Sequence, residues 1–549
     1  MKQVIVGGVY NTLNVAATEY NCIGTYTWNA DPDVMAMAVS TAGKLKNLRV
    51  ELDDVPGTGT YTFTLYRRVG LGAWGDTALT CIVAADGTVA SDTTHEVTVA
   101  AGDMIALKCV PDSPDNARNA LYTIMFEGDT ANESLLLLHM PIIWSANRYG
   151  GVSGYAQSTT ESWVRHICPT SGKIKNLHVQ LKDDPGTAPD AYRFVLRVNG
   201  ADSDDGEGNA LECTITADDK TGNDTTHEIT VSAGDILTVK AEPLNAPTVS
   251  TNAAIGMTFV ADTDGESLIL GGGHQSLDDT KTEYNYLAGF FQSAWTITET
   301  QCYQLAQGCT LKKLYMLLSG DPGGTDKYTF TVRLEGASPG SGLVVEIAGG
   351  STTGNDTTNS IAVSDGEVVN MMVVPTDTPV EVDVYWGLVG YIRTPVDYSI
   401  STSTTLTASA SIDRDVAWDR ATSPGLTAAV TIVRQRARTI TTNTALAIST
   451  TIARALAWGR ATAPGLTVSA TIARALAYAR ATLPGLTAAV TIVRQRNRTI
   501  VTSSALAISA TIYMAFHTRT RRLRTFVGRA LSTLTSRNLS DDNDEFRDL

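Results

Sequence analysis

Several things are scarce or absent in this 549-residue chain, and each absence excludes a class of protein. No apolar run reaches the ~18 residues that a membrane-crossing helix needs. The opening Met1-Lys-Gln-Val-Ile-Val-Gly-Gly-Val-Tyr10 is too short and too mixed for a secretory signal, so the expectation is a soluble chain made in the cytoplasm. The seven cysteines are an odd number without paired spacing. Cys81 and Cys213 match between two long repeats but have no counterpart in the third, so they read as small buried hydrophobes rather than a disulfide framework. No Cys-x-x-Cys or Cys/His cluster points to zinc. Helical periodicity is missing from the first ~400 residues. Lysine is missing from residues 400–549, which hold 19 Arg against 8 Asp+Glu, a net of +11. The rest holds 23 Lys+Arg against 49 Asp+Glu, a net of −26, so the two regions face different surroundings.

What is present is repetition. Asp92-Thr-Thr-His-Glu-Val-Thr-Val-Ala-Ala-Gly-Asp103 returns as Asp224-Thr-Thr-His-Glu-Ile-Thr-Val-Ser-Ala-Gly-Asp235. It returns again, altered, as Asp356-Thr-Thr-Asn-Ser-Ile-Ala-Val-Ser-Asp-Gly-Glu367. Both steps are 132 residues (224 − 92 and 356 − 224), which is the length of a domain. Three copies of one fold are expected at 1–132, 133–265 and 266–399. Each copy offers alternating apolar segments, such as Leu48-Arg-Val-Glu-Leu52 and Leu177-His-Val-Gln-Leu181. Each then offers an Asp/Pro/Gly turn and an aromatic strand: Tyr61-Thr-Phe63, Tyr192-Arg-Phe194 or Tyr328-Thr-Phe330. Many short strands with frequent turns make an all-β chain of antiparallel sandwiches, most simply jelly rolls of about eight strands. Phe126-Glu-Gly-Asp-Thr-Ala-Asn-Glu-Ser-Leu135 and Val260-Ala-Asp-Thr-Asp-Gly-Glu-Ser-Leu268 are short polar links, which predict a semi-rigid string of beads.

Residues 400–525 carry a shorter repeat. Leu406, Leu426, Leu446, Leu466, Leu486 and Leu506 are spaced by 20, as are Ile412, Ile432, Ile452, Ile472, Ile492 and Ile512. One face of each unit is bulky and the other is Ala, Thr or Ser. Ala and Arg permit helix, but Thr431-Ile-Val-Arg-Gln-Arg-Ala-Arg-Thr-Ile-Thr-Thr442 fills the same positions with β-branched residues, which favour strand. Six such units either stack as a solenoid or zigzag as a meander. A small-residue face buries little apolar area on its own, so sheet-on-sheet packing between chains is expected, with a homotrimeric stem removing exposed edges. Arg414, Arg434, Arg454, Arg474 and Arg494 share one repeat position. In parallel register they would sit about 4.8 Å apart, unfavourable for like charges unless the units alternate direction, the face is wet, or acids or polyanions cover it. Nucleic acid is the less favoured use, since lysine is absent and base-stacking aromatics are few (Trp418, Trp458, Tyr478). The tail, 526–549, follows the basic cluster Arg519-Thr-Arg-Arg-Leu-Arg524 and ends acidic, in the manner of a disordered or docking peptide.

No residue set announces a catalytic, cofactor or metal site. His95 and His227 are the most tempting candidates. However, Asn359 replaces them in the third copy and no nucleophile travels with them, so Asp92, Asp224 and Asp356 read as turn-capping carboxylates. Asp202-Ser-Asp-Asp-Gly-Glu207 resembles part of a calcium loop but lacks the distal bidentate glutamate, and reads as a solvated hairpin tip.

Three motifs carry a resemblance. They are the Gly-Lys-x-Lys-Asn-Leu strand beginning at Gly43 and Gly172, the Tyr-x-Phe strand, and the Asp-Thr-Thr/Ala-Gly-Asp hairpin. The long repeat is similar in style to jelly-roll modules of the C1q/TNF-like kind. With the Ala/Thr/Arg repeat, the whole resembles tailed-phage virion appendages, such as tail or head fibres and decoration proteins. That resemblance implies a non-enzymatic, self-assembling virion protein. Its partners would be further copies of itself, other virion proteins and host-surface glycans, with no membrane. A prokaryotic cell-surface or filament-forming adhesin, acting at the extracellular surface, is the first alternative. A polysaccharide-degrading appendage enzyme is the second.

Overall fold

The structure, a computed structural model, describes residues 2–392 except 10, 25–26, 291–294 and 341, and the backbone of the strands between 406 and 512. It divides into two compact units, Met1–Thr394 and Pro395–Leu549. Strands dominate throughout, and most pair antiparallel in the first unit.

The first unit contains three sandwiches. In the first, eight main strands run Lys2–Val9, Glu19–Asn21, Gly43–Leu52, Thr60–Arg68, Trp74–Val83, Val89–Val99, Met104–Asp112 and Ala120–Gly128. One sheet takes them in the order first, eighth, third, sixth, and the other in the order second, seventh, fourth, fifth. This double winding is a jelly roll. The other two sandwiches, opening with Glu133–Ile143 and Glu266–Gly273, repeat the arrangement. Alternation accounts for the cores: Leu48, Val50 and Leu52 are buried, as are Tyr61, Phe63 and Leu65. Burying each such side chain contributes about 2 kcal/mol. The recurring tyrosine is explained by its hydroxyl. Tyr61 donates to Asn116 O (2.9 Å), Tyr192 to Val249 O (2.6 Å) and Tyr328 to Val380 O (3.2 Å), tying the loop before the last strand to the core. All seven cysteines are buried free thiols.

The beads are not strung. Each sandwich packs on the next, and the third returns to the first, closing a ring with approximate threefold repetition. Met37–Ala38 of the first abuts strand Thr251–Ala261 of the second, and His166–Ile167 of the second abuts Val384–Tyr391 of the third. Gln304–Leu305 of the third then bonds to the first, with Leu305 opposite Gly7. The opening strands Lys2–Val9, Glu133–Ile143 and Glu266–Gly273 each touch the other two. They bring Val4, Val6, Leu135, Leu137, Leu268 and Leu270 around a central cavity of about 40 Å³. The short links predicted limited swing; what removes it is the contact surface they leave between neighbours.

In the second unit, residues 20 apart pair parallel and in register: Leu406 with Leu426, Leu426 with Leu446, Leu446 with Leu466, and so on to Leu506. Of the two arrangements compatible with the spacing, the chain therefore adopts parallel stacking rather than a meander. The tail at 526–549 lies outside the described residues.

Candidate functional site

The recurring Asp-Thr-Thr segment is a bulge inside a strand rather than a turn before one. Lys46 pairs with Glu96 and Leu48 with Asp92, so the outer strand holds two extra residues. Asp92 is buried and its carboxylate gathers five donors. Oδ1 accepts from Thr94 N (3.1 Å), Thr94 Oγ1 (3.0 Å) and His95 N (3.0 Å), and Oδ2 from Thr80 N (3.1 Å) and His95 Nδ1 (2.9 Å). Asp224 makes the same set with Thr226, His227 and Glu212 N. Asp356 does so with Thr358, Asn359 and Val344 N. In the third copy Asn359 Nδ2 stands where the imidazole stood, 2.9 Å from Asp356 Oδ2. The histidine's role is therefore to donate one hydrogen bond. Burial alone would raise the Asp92 pKa, but the His95 and Thr80 amides, the imidazole and the Thr94 amide hold it well below the usual carboxylate range.

This assignment has a direct test. His95→Asn should leave stability within about 0.5 kcal/mol of the parent, while Asp92→Ala strands several part-buried donors and should cost about 3 kcal/mol. Urea denaturation measures both. A large loss for His95→Asn with none for Asp92→Ala would reverse the reading.

The carboxylates of the calcium-like loop are taken up by ion pairs and by the loop's own backbone. Asp202 pairs with Arg193 (3.1 Å), Lys240 (3.2 Å) and Arg197. Asp204 Oδ1 accepts from Gly206 N and Gly208 N, and Asp205 Oδ1 from Glu207 N and Asn209 N. Asp202 lies in strand Ala201–Asp202 while the other two cap the loop beyond it, so the three do not converge on a common centre.

A further set of buried polar constructions lies at the seams between sandwiches. At the first seam, Glu133 is buried; it accepts from Thr41 of the neighbouring sandwich and pairs with Lys175 at 2.9 Å. Gln3 exchanges two bonds with the backbone of Leu135, at 2.9 and 2.8 Å. His139, fully buried, donates from Nδ1 to Ala36 O at 2.8 Å and stacks on Tyr155. At the second seam Glu266 takes the place of Glu133, accepting from Thr170 (2.6 Å) and pairing with Lys312 (2.9 Å) and Lys313 (2.8 Å). Burial would raise the Glu266 pKa, but hydrogen bonds from Lys312, Lys313 and Thr170 keep it lowered. Lys313 holds a left-handed backbone (φ 53°) at a strand bulge where the first two sandwiches carry Asn47 and Asn176. Tyr385 OH donates to Ser162 O (2.8 Å), and Trp163 stacks on His274 at 3.8 Å.

The third seam is built differently. Register places Lys2 where the other copies have Glu133 and Glu266. The cross-seam bond runs from Gln307 Nε2 to Asn47 O at 2.7 Å. Sequence reasoning missed these residues, although one signal was present: Glu-Ser-Leu recurs at 133–135 and 266–268.

No family model matches this sequence, and no curated protein matches it. Among solved structures, the crystal structure of the infectious bursal disease virus VP2 subviral particle is similar at 10% identity, over 72% of this chain and 81% of that one. The TM-score is 0.13, too low for the likeness to carry a functional argument. Among the described residues, no helix is long and apolar enough to cross a membrane.

Proposed function

We propose that the chain is a non-enzymatic structural component of a virus particle, a fibre or decoration protein that self-assembles and meets host-surface glycans through its sandwiches. The supporting observation is the closure of three duplicated sandwiches into one ring whose recurring polar residues hold strands and seams. The parallel stack serves as stem or anchor. Its end strands, Leu406–Ile412 and Leu506–Ile512, each pair on one side only among the described residues. Open edges favour association, and a homotrimer formed through this unit is the assembly we expect.

Light scattering on the full chain should give a mass near three times 58.3 kDa, and a monodisperse monomer would remove the homotrimer. Incubation with host glycans should show retention without new reducing ends. Released sugars would instead support a polysaccharide-degrading activity, and absence of retention would remove the host-contact role.

A further inference from the structure

We propose that the twenty-residue stack binds single-stranded nucleic acid along its arginine columns. The parallel register sets like on like: Arg434 lies opposite Arg454, and Arg460 opposite Arg480. Strands in a sheet are about 4.8 Å apart, a separation at which guanidinium groups repel unless water screens them or anions lie along them. Alternating strand directions would have dispersed these charges, and the observed pairing does not alternate.

The chain's own acids are too few to offset them. Residues 406–512 contain 12 arginines, no lysine and three acids, Asp413, Asp415 and Asp419, and the five acids of the tail follow at 541, 542, 544, 545 and 548. Acids of the sandwiches are distributed around a closed ring, and several are already paired, as in Glu212 with Arg193 and Asp76 with Lys108. Arginines brought into register on neighbouring strands suit a linear polyanion instead.

The aromatic residues indicate which polyanion. Trp418 pairs with Arg438, Arg438 with Trp458, Trp458 with Tyr478, and Tyr478 with Arg498. One register column thus carries, in order, Trp418, Arg438, Trp458, Tyr478 and Arg498. By the two-residue alternation of a strand it shares a face with the Arg434–Arg454 column. Rings among cations take stacked bases while the cations neutralise phosphates; an acidic polysaccharide has charge but no flat rings. Counted in the sequence, three aromatics looked too few. Placed in register, all three fall in one column together with two arginines.

Fluorescence anisotropy with the full-length protein and a labelled 20-nucleotide oligothymidylate tests this. Saturable binding is expected, weakening about 100-fold between 50 and 200 mM salt, as for roughly five neutralised phosphates. Trp458→Ala should weaken binding about 10-fold with the salt slope unchanged, and Trp458→Phe should restore it. Arg434→Gln with Arg454→Gln should lower the slope by about 1.4, two phosphates at ~0.7 each. Far-UV circular dichroism and elution volume, compared with the parent, establish that each variant keeps its fold. Failure of the oligonucleotide to bind overturns the proposal. So does a sulfated polysaccharide competing equally well while Trp458→Ala binds like the parent, or a duplex binding more tightly than the single strand.

Discussion

Replacing Gly256 or Gly387 by valine is expected to detach a sandwich from its neighbour. Neither glycine has a positive φ, so the requirement is one of space rather than of backbone conformation. A Cβ on Gly256 would lie 2.1 Å from the carbonyl oxygen of Ala38 in the neighbouring sandwich and 2.8 Å from its carbon. One on Gly387 would lie 2.1 Å from Ile167 O and 3.0 Å from Pro169 Cδ. The obstacles are a strand backbone and a proline ring, which cannot rotate aside as a flexible side-chain end would. Each substitution should cost about 3 kcal/mol, the upper end of the usual range for overpacking. Alanine should cost nearly as much, since the clash begins at Cβ. Hydrogen exchange should show faster exchange in Met37–Ala38 for the Gly256 variant and in His166–Ile167 for the Gly387 variant, with the sandwich cores still protected. The corresponding position in the first sandwich is Thr123, whose hydroxyl donates to Ile5 O at 3.0 Å. Thr123→Gly should therefore leave the ring closed. If valine at 256 and 387 leaves stability and exchange unchanged, the seams are not tightly packed in solution.

The three sandwiches were legible and the ring was not, for a physical reason. A strand's core face repeats every two residues, so Leu48, Val50 and Leu52 disclose their burial locally. The tyrosine–phenylalanine pairs and the Asp-Thr-Thr segments declare themselves by recurring. Even so, the latter looked like turns, because a two-residue bulge leaves no trace until the partner strand is known. A seam has no period. Glu133 meets Thr41 across 92 residues and Glu266 meets Thr170 across 96, so polar links read as spacers in fact hold interfacial carboxylates. Gly256 and Gly387 look like weak points in strands until the opposing backbone is in place. The divergent third seam hides the symmetry further, since Lys2 and Gln307 resemble nothing at the other two. Strand pairing in the twenty-residue repeat was legible from β-branched residues; its direction was not, because alternation looks the same in parallel and antiparallel sheets.

Acidification should loosen the first two seams before it unfolds the sandwiches. His139 and His166 are fully buried, one beside each seam, and burial pushes their pKa values down to about 4 and about 3 from 6.5. The Ala36 carbonyl offsets this only incompletely for His139, whose other neighbours are the Tyr155 ring and the Asn252 amide, 3.5 Å from Nε2. His166 accepts at Nδ1 from Val152 N (3.1 Å), which requires that nitrogen to be unprotonated. With the native values depressed, the unfolded chain binds more protons below pH 6.5, so stability is intact above that pH and falls as pH drops toward 4. The loss is roughly 2 kcal/mol per histidine at pH 5. Carboxylates with lowered values, Asp92, Asp224 and Glu266 among them, act in the same direction only at lower pH, as their native forms become protonated. The interval between pH 6.5 and 5 therefore belongs to the histidines; burial also lowers the pKa of His178, which adds to the loss, while the bond to Asp224 raises that of His227, which opposes it. The third sandwich indicates the variant to make: Gln304 replaces His166 there, buried and bonded to Ala288 N (2.7 Å) and Ala288 O (2.9 Å). His166→Gln should fold and should lower the pH slope in that interval, and adding His139→Gln should lower it by a similar amount again, leaving the smaller contribution of His178. Urea midpoints measured from pH 7 to 5 give the slope. Equal slopes in parent and double variant would show that neither imidazole is held neutral at its seam.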